Sequence, residues 1–131
     1  MGGDWLGPGW VESAASLWPS LPEAPGADGS VSLSFVTGPR KEVAIHWSYA
    51  DGRPVGGGAG ADPDAGLVLS VAAADAADVV SGRVEPSVAF MRGRLKATGD
   101  GALLLAFLRS TAAAGFEDWR RGLAGLAPVP G

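Results

Sequence analysis

His46, the single histidine, is the residue in this sequence best suited to acid–base chemistry. The hydroxyl groups of Ser32, Ser34 and Ser48 are predicted to lie on the same face of the sheet as His46, on its own strand or on a neighbouring one. A serine hydrolase needs a nucleophile, a base and an orienting group in contact, and these residues could supply a Ser–His pair. The chain has no G-x-S-x-G elbow, however, and polar residues that alternate along a strand are typical of its solvent side. We therefore predict that His46 is a surface residue and that the chain has no catalytic residues.

The glycine-rich run at 56–61 is the other segment that suggests chemistry. Its Gly-x-Gly-x-x-Ala spacing fits a loose dinucleotide-binding pattern, but that mechanism requires a helix to open directly after the glycines. Here Asp-Pro-Asp follows, and its carboxylates would repel a phosphate. The run is therefore interpreted as a flexible hairpin loop. Asp75 and Asp78 are predicted to be solvated, because nothing indicates the burial that separates the pKa values of an acid–base pair.

Composition excludes several further classes of function. Cysteine is absent and histidine occurs once, so disulfides, thiol catalysis and metal sites built on Cys or His are not expected. The 10 Lys and Arg against 14 Asp and Glu give a net charge of −4, whereas nucleic-acid binding needs a basic footprint. No apolar run approaches the ~20 residues that span a bilayer. We expect no cofactor, no nucleic acid and at most transient membrane contact.

Hydrophobic spacing predicts the elements that must position any site. Apolar residues from Trp10 to Leu21 recur with a period near 3.6, which predicts an N-terminal helix. Pro19 and Pro22 are predicted to end it. Alternation predicts strands, with a hairpin turn at Asp51-Gly52 and an irregular strand plus loop in 53–66. The predicted strands are 31–36, 43–49, 67–71 and 94–98.

Further helices follow in the second half of the chain. Pro86 suits the first turn of a helix, and Asp100 suits an N-cap. The predicted helices are 72–80, 86–91, 100–111 and an amphipathic piece from Phe116 to Leu126. This order of elements predicts an α+β domain with helices on one face of the sheet. The aromatic segments near the two ends of the chain are either part of the core or lids over a cavity.

One stretch carries a family resemblance, over residues 79–108. The residues that carry it are Gly82, Pro86, Ala89-Phe90-Met91, Gly93, Leu95-Lys96, Gly99-Asp100 and the leucine-rich helix after them. In this combination the chain resembles the sterol carrier protein 2 (SCP2) sterol-binding family. The best match covers 30–112 of one domain spanning 1–131, with an N-terminal helix in 1–22 and a C-terminal helix or tail in 113–131. The many alanines resemble bacterial proteins, and we expect a bacterial, stand-alone, cytoplasmic form.

This resemblance implies about five mostly antiparallel strands, with helices packed on one face and an apolar tunnel between the layers. Members of the family bind sterols, fatty acids, acyl-CoA or phospholipids, without chemistry of their own in the stand-alone form. The implied partner is a lipid or another apolar small molecule. The ligand-binding residues that this implies here are Phe35, Ile45, Trp47, Leu69, Val79, Phe90, Met91, Leu103, Leu104, Phe107, Leu108 and Trp119.

Two alternatives remain open at this point. Bulky residues such as Trp47 and Phe107 could fill the tunnel, leaving an accessory domain whose polar sheet face docks a partner or a second copy as a homodimer. That face would comprise Ser32, Ser34, His46, Ser48, Arg94 and Lys96. The other alternative is a small biosynthetic enzyme that uses the pocket.

Overall fold

A five-stranded mixed sheet forms one layer of the protein. The computed structural model describes residues 4–130. The sheet has the order β3-β2-β1-β4-β5, and only the central β1–β4 pair is parallel. This confirms the predicted α+β fold with a mostly antiparallel sheet. The strands are β1 (Gly29–Gly38), β2 (Lys41–Ala50), β3 (Arg53–Ala59), β4 (Leu67–Ala72) and β5 (Leu95–Gly99).

The helices form the second layer, over one face of the sheet. Alternate residues of β1, β2 and β4 on that face are buried against the helices and form a continuous hydrophobic core. The predicted N-cap is confirmed, since the Asp100 carboxylate accepts the backbone N–H groups of Ala102 (2.9 Å) and Leu103 (3.2 Å). The helices are α1 (Pro8–Ala15), a 3₁₀ turn (Trp18–Ser20), α2 (Ala73–Val80), α3 (Pro86–Met91), α4 (Gly101–Ser110) and α5 (Ala114–Ala124).

The N-terminal helix is shorter than predicted. Residues 1–3 of the predicted 1–22 segment lie outside the described residues, and α1 ends at Ala15. Pro19 lacks a backbone N–H and disfavours helical geometry in the residue before it. The chain therefore continues as a 3₁₀ turn with this proline in its first positions. Trp18 from that turn packs over the edge strand β3.

The glycine run belongs to a strand, which corrects the prediction of a flexible loop. Gly56, Gly57 and Gly58 pair with β2 after the two-residue Asp51-Gly52 turn. A Cβ built on Gly57 would lie 2.8 Å from the His46 carbonyl oxygen and 2.9 Å from Cδ1 of Trp18. The close approach of Trp18 therefore requires glycine there, because any side chain would clash. No phosphate-binding turn exists in this run.

The face of the sheet away from the helices is not the open polar surface that alternation predicts. Ser32 is 1% exposed and Ser34 is 7% exposed. The chain must pass from edge strand β3 over β2 and β1 to reach β4, and residues 60–66 make that crossing. The Asp62 backbone N–H donates to the Ser32 hydroxyl at 2.8 Å. The central part of this face is thus already covered by the protein's own chain.

His46 lies on the same face, and it anchors the start of the crossing segment. Its Nδ1 is 3.0 Å from the carbonyl oxygen of Gly60. Further along, the Ser30 hydroxyl and the backbone N–H of Asp64 both donate to the Asp62 carboxylate. These hydrogen bonds hold the pKa of Asp62 below its ordinary value of 3.8. The arrangement fastens a loop to the sheet.

Candidate ligand-binding site

An apolar cavity of about 60 Å³ lies between the sheet and the helices. Its floor comes from β1, β4 and β5, and its walls come from α2, α3, α4 and α5. Every lining side chain is hydrophobic, so the cavity holds no group suited to proton transfer or metal binding. The lining residues are Leu33, Phe35, Leu69, Val71, Ala76, Val79, Val80, Pro86, Leu95, Phe107, Phe116, Trp119 and Leu123.

Strand alternation explains the floor of the cavity. Side chains two residues apart on a strand point to the same face, which brings Leu33 and Phe35 of β1 together under the helices. The parallel pairing of β1 with β4 then places Leu69 beside Leu33 and Val71 beside Phe35. These four side chains are all buried. Central strands that pair in this register produce a smooth apolar floor.

Five of the twelve residues expected to bind ligand line this cavity. They come from β1, β4, α2, α4 and α5, which are distant in sequence. The tertiary fold therefore brings these residues together, because no single segment of the chain contains more than one of them. The five residues are Phe35, Leu69, Val79, Phe107 and Trp119.

The other seven residues lie outside the cavity lining. Ile45, Trp47 and Leu103 are fully buried elsewhere in the core. Phe90, Leu104 and Leu108 are partly buried and pack against that core.

Met91 corrects the expectation that its side chain points under α3. It is 83% exposed. The six-residue helix α3 turns Pro86 and Ala89 inward, and a helical residue two positions after Ala89 lies on the opposite side. Met91 therefore faces away from the cavity.

Several residues that line the cavity were not among the ligand-binding residues that the family resemblance implied. Leu33 and Val71 were detectable, since they share strand faces with Phe35 and Leu69. Phe116 and Leu123 lie on the apolar stripe of α5, whose helical spacing was visible. Ala76 gave no signal, because a buried alanine on a short helix looks like any other alanine in this chain.

The cavity lining includes three aromatic rings, those of Phe107, Phe116 and Trp119. The Trp47 ring lies 5.7 Å, centroid to centroid, from both Phe107 and Trp119. Phe116 lies 5.5 Å from Trp119 in the same way. Edge-on and tilted ring pairs of this kind are stabilising beyond their buried area. They also reduce the space that remains for a ligand.

Helix α5 forms one wall and is fastened to α2 by Arg120. The Nη1 group of Arg120 donates to the Val80 carbonyl oxygen at 2.6 Å, while Nε and Nη2 donate to both carboxylate oxygens of Glu117. This pairing lowers the pKa of Glu117 and raises the pKa of Arg120. Gly82 allows the approach, since a Cβ there would lie 3.1 Å from the guanidinium carbon.

A second space of about 370 Å³ opens at the surface beside the cavity. It lies between the α2–α3 and α4–α5 connections, with Glu85, Glu117 and Arg120 on its walls. Pro86 and Phe116 line both spaces.

Metal-binding clusters and membrane-spanning helices were both sought among residues 4–130. Residues 4–130 contain no cluster of three or more His, Asp or Glu side chains that could hold a metal ion. In the same part of the chain, no helix has the length and hydropathy to cross a bilayer.

The fold and the cavity together define an α+β domain with an apolar space between its sheet and its helices. The family comparison agrees, because the model of the SCP-2 sterol transfer family matches residues 30–109. The chain belongs to that family. A search of curated proteins found no match to the sequence.

Solved structures share this fold. The solution structure of a protein from Thermus thermophilus, described as possibly a sterol carrier protein, has 22% identity and a TM-score of 0.63, covering 96% of this chain and 92% of that one. A crystal structure of sterol carrier protein 2 has 23% identity and a TM-score of 0.63, covering 87% and 92%. Palmitated SCP2L2 from Aedes aegypti has 14% identity and a TM-score of 0.55, covering 79% and 92%. These likenesses establish the fold alone.

Proposed function

We propose that this domain binds an apolar ligand, such as a sterol, a fatty acid or a fatty acyl-CoA, between its sheet and its helices, and transfers it without chemical change. The observation that carries the proposal is the wholly hydrophobic lining of the cavity, which draws on both the sheet and the helices. Family membership over residues 30–109 supports the ligand class. A cytoplasmic location fits the cysteine-free sequence.

A ligand of this size requires the cavity to become larger. About 60 Å³ is much less than the ~150 Å³ that holds a benzene molecule in an engineered cavity. Joined to the adjoining cleft of about 370 Å³, the space would fall within the range of ~300–1,000 Å³ that is typical of ligand pockets. We propose that α5 moves outward to join them, because its aromatic side chains separate the two spaces.

The energetics are favourable for such a movement. A chain of about twelve methylenes gains roughly 10 kcal/mol on leaving water. Part of this gain offsets the ordering of the ligand and the displacement of Phe116 and Trp119. Those two rings would remain in contact with the bound hydrocarbon, so their burial is largely retained. The affinity depends on the part of this gain that remains after these costs.

We propose binding without catalysis because the lining supplies no nucleophile, acid or base. His46, the sole histidine, is on the opposite face of the sheet and bonds to a loop carbonyl. Function must be argued from a site, and the apolar site fits recognition of hydrocarbon.

The filled-pocket alternative has one observation in its favour, which is the aromatic cluster of Trp47, Phe107 and Trp119. In that case the domain would be a non-catalytic accessory module. The crossing segment at 60–66 already covers the central serines, so a docking surface on that face would be smaller than alternation suggests.

The decisive experiment compares two neighbouring alanines of α2. Ala76 and Ala77 are both buried, but only Ala76 lines the cavity. Ala76→Leu should fill the space and abolish displacement of a fluorescent fatty acid, while Ala77→Leu should retain it. Both changes overpack the protein and should cost about 1–3 kcal/mol, so the free energy of unfolding is measured alongside. Native lipid released by organic extraction provides an independent check by mass spectrometry.

Either of two results would refute carrier function. One is purified protein that holds no lipid and takes up no fluorescent fatty acid. The other is equal binding by the Ala76→Leu and Ala77→Leu variants, which would place the ligand elsewhere.

A further inference from the structure

Helix α5 is packed differently on the two sides of its apolar face. With 3.6 residues per turn, Gly115 and Gly122 lie together on one side of that face, and Arg120 lies on the other. One side is therefore bare backbone, whereas the other carries a guanidinium group. The apolar face between them lines the cavity through Phe116, Trp119 and Leu123.

The glycine side of α5 packs closely against the segment around the 3₁₀ turn. A Cβ built on Gly122 would lie 3.1 Å from Cδ1 of Leu17, and one built on Gly115 would lie 3.2 Å from Cβ of Pro22. Carbon atoms pack best at about 3.5–4.0 Å, so the absence of a side chain lets the helix approach this closely. Dispersion contacts weaken steeply once such surfaces separate, and movement on this side would therefore be costly.

The opposite side of α5 is held by a single hydrogen bond. Nη1 of Arg120 donates to the carbonyl oxygen of Val80, the last residue of α2, at 2.6 Å. Among residues 4–130, no other hydrogen bond joins α5 to another helix or to the sheet. Glu117, on α5 itself, orients the guanidinium group with two further bonds. The side chain of Arg120 is 14% exposed, so this bond is largely sheltered from water.

The surface cleft lies on this Arg120 side of the helix. Gly82, Phe116, Glu117 and Arg120 are among its lining residues, so part of the cleft lies between α5 and the turn that follows α2. A guanidinium group released from Val80 would be hydrated in the cleft, and breaking the bond would leave no buried charge unpaired. The packing is therefore asymmetric, because α5 can turn outward on this side after one polar bond breaks.

We propose that the apolar ligand enters between α2 and α5, and that Arg120 is an autoinhibitory latch that holds α5 closed in the empty protein. Binding breaks the Arg120–Val80 hydrogen bond as α5 turns outward about the side that carries Gly115 and Gly122. This inference rests on the proposed function and adds the route of entry and the residue that controls it. Arg120 is absent from the cavity lining, so it acts on the movement of the helix.

A latch of this kind weakens binding, which is the opposite of what a merely structural contact does. When the binding-competent state is only partly populated, the apparent Kd rises in inverse proportion to that population. Removing the latch raises the population of the open state, so the ligand should associate faster and bind more tightly. The dissociation rate constant should stay the same, because the hydrogen bond is already broken in the complex.

The test compares Arg120→Met with Arg121→Met in the full chain. Arg121 is the matched control, because its side chain is 72% exposed and, in the described chain, pairs only with Glu117, at 3.6 Å. Stopped-flow fluorescence measures the association of a pyrene-labelled fatty acid, and phosphatidylcholine vesicles accept the probe during dissociation. Arg120→Met should lower the Kd and raise the association rate constant about tenfold, the equivalent of one hydrogen bond to a charged group. Arg121→Met should change neither.

Two further variants examine the latch and the pivot separately. Glu117→Gln keeps the Val80 bond but removes the charge that orients the guanidinium group, so the association rate constant should rise by about threefold. This variant decides the question should Arg120→Met fail to fold. Leu17→Ala loosens the packing beside Gly122, and it should lower the free energy of unfolding without accelerating association.

The outcomes separate this inference from the proposed function. Unchanged or weaker probe binding in Arg120→Met overturns the latch and leaves lipid binding intact. Tighter binding that arises from slower dissociation also overturns it, because the new methionine would then contact the ligand. Faster association in Arg121→Met to the same degree would show a general effect of charge, and faster association in Leu17→Ala alone would place the opening on the glycine side. Wild-type protein that binds no probe defeats the proposed function, and the latch falls with it.

Discussion

The two faces of the sheet are built by opposite means. On the helix-covered face, large hydrophobic side chains from distant elements meet around a cavity. On the other face, the small residues Ser32 and Ser34 are buried beneath a chain crossing that hydrogen bonds hold in place. Apolar contacts are non-directional and tolerate a moving wall, whereas hydrogen bonds fix a loop in one geometry. The adaptable face is therefore the one where we propose that the ligand binds.

The largest difference between the faces should appear at Leu69 and Val68, neighbours on β4. Leu69 is 1% exposed and lines the cavity, while Val68 on the opposite face is 41% exposed. Leu69→Ala should lower the free energy of unfolding by about 2–5 kcal/mol. Val68→Ala should cost less than about 1 kcal/mol. Urea denaturation of both variants measures the contrast, and equal losses would show that the faces are not distinct.

Alkaline pH should weaken the helix-covered face. Burial raises the pKa of Tyr49 to about 12 from 10.0, so the unfolded chain ionises first as the pH rises. The stability that the neutral Tyr49 contributes is complete below pH 10 and is lost between pH 10 and 12, a loss of roughly 3 kcal/mol. Stability measured against pH should show this decline, and Tyr49→Phe should remove it. Tyr49 is the only tyrosine, so tyrosinate absorbance in the folded protein reports its titration directly.

A smaller loss is expected at the crossing segment. Ser32→Ala leaves the Asp62 backbone N–H without its acceptor and should cost about 1–2 kcal/mol. Ser70 is half-buried on the same face and pairs with Ser34 across the β1–β4 ladder. Ser70→Ala should change stability by less than about 0.5 kcal/mol. Lipid binding should be unaffected in both variants, and its loss in Ser32→Ala would show that the two faces are coupled.

The smallest effect should come from acid at the same segment. The Ser30 hydroxyl and the Asp64 N–H lower the pKa of Asp62 from 3.8. A lowered folded-state pKa contributes stability that is present above pH 3.8 and is lost as the pH falls through the lower, folded value. Asp62→Asn should flatten this acid limb without altering the alkaline one. An acid limb of unchanged slope would mean that other carboxylates, such as Glu117, carry it.

Local features of the fold were predictable because they depend on residues close in sequence. The Asp51-Gly52 turn, the Asp100 cap and the Pro86 helix start all follow from backbone preferences of a few residues. Strand alternation predicted the strands that carry Phe35 and Leu69, and the family resemblance implied that these two residues bind ligand. The family resemblance added the arrangement of five strands, which periodicity alone does not determine.

Other features depended on which elements meet in space. Alternation assigned Ser32 to a wet face, but the route of the crossing segment covers it. Met91 belongs to a short helix whose rotation about its axis is set by the packing of Pro86 and Ala89. The contacts of the Trp47 ring with Phe107 and Trp119 were equally invisible, because they depend on α4 and α5 lying beside β2.

The sequence by itself determined the elements, the absence of thiol chemistry and the hydrophobic character of the sheet's inner face. Only the tertiary structure decided how large the apolar cavity is and which parts of each sheet face remain accessible. The physical reason is that turns, caps and alternation are short-range effects. Burial and hydrogen-bond satisfaction depend on every group that surrounds a side chain, whatever its distance along the chain.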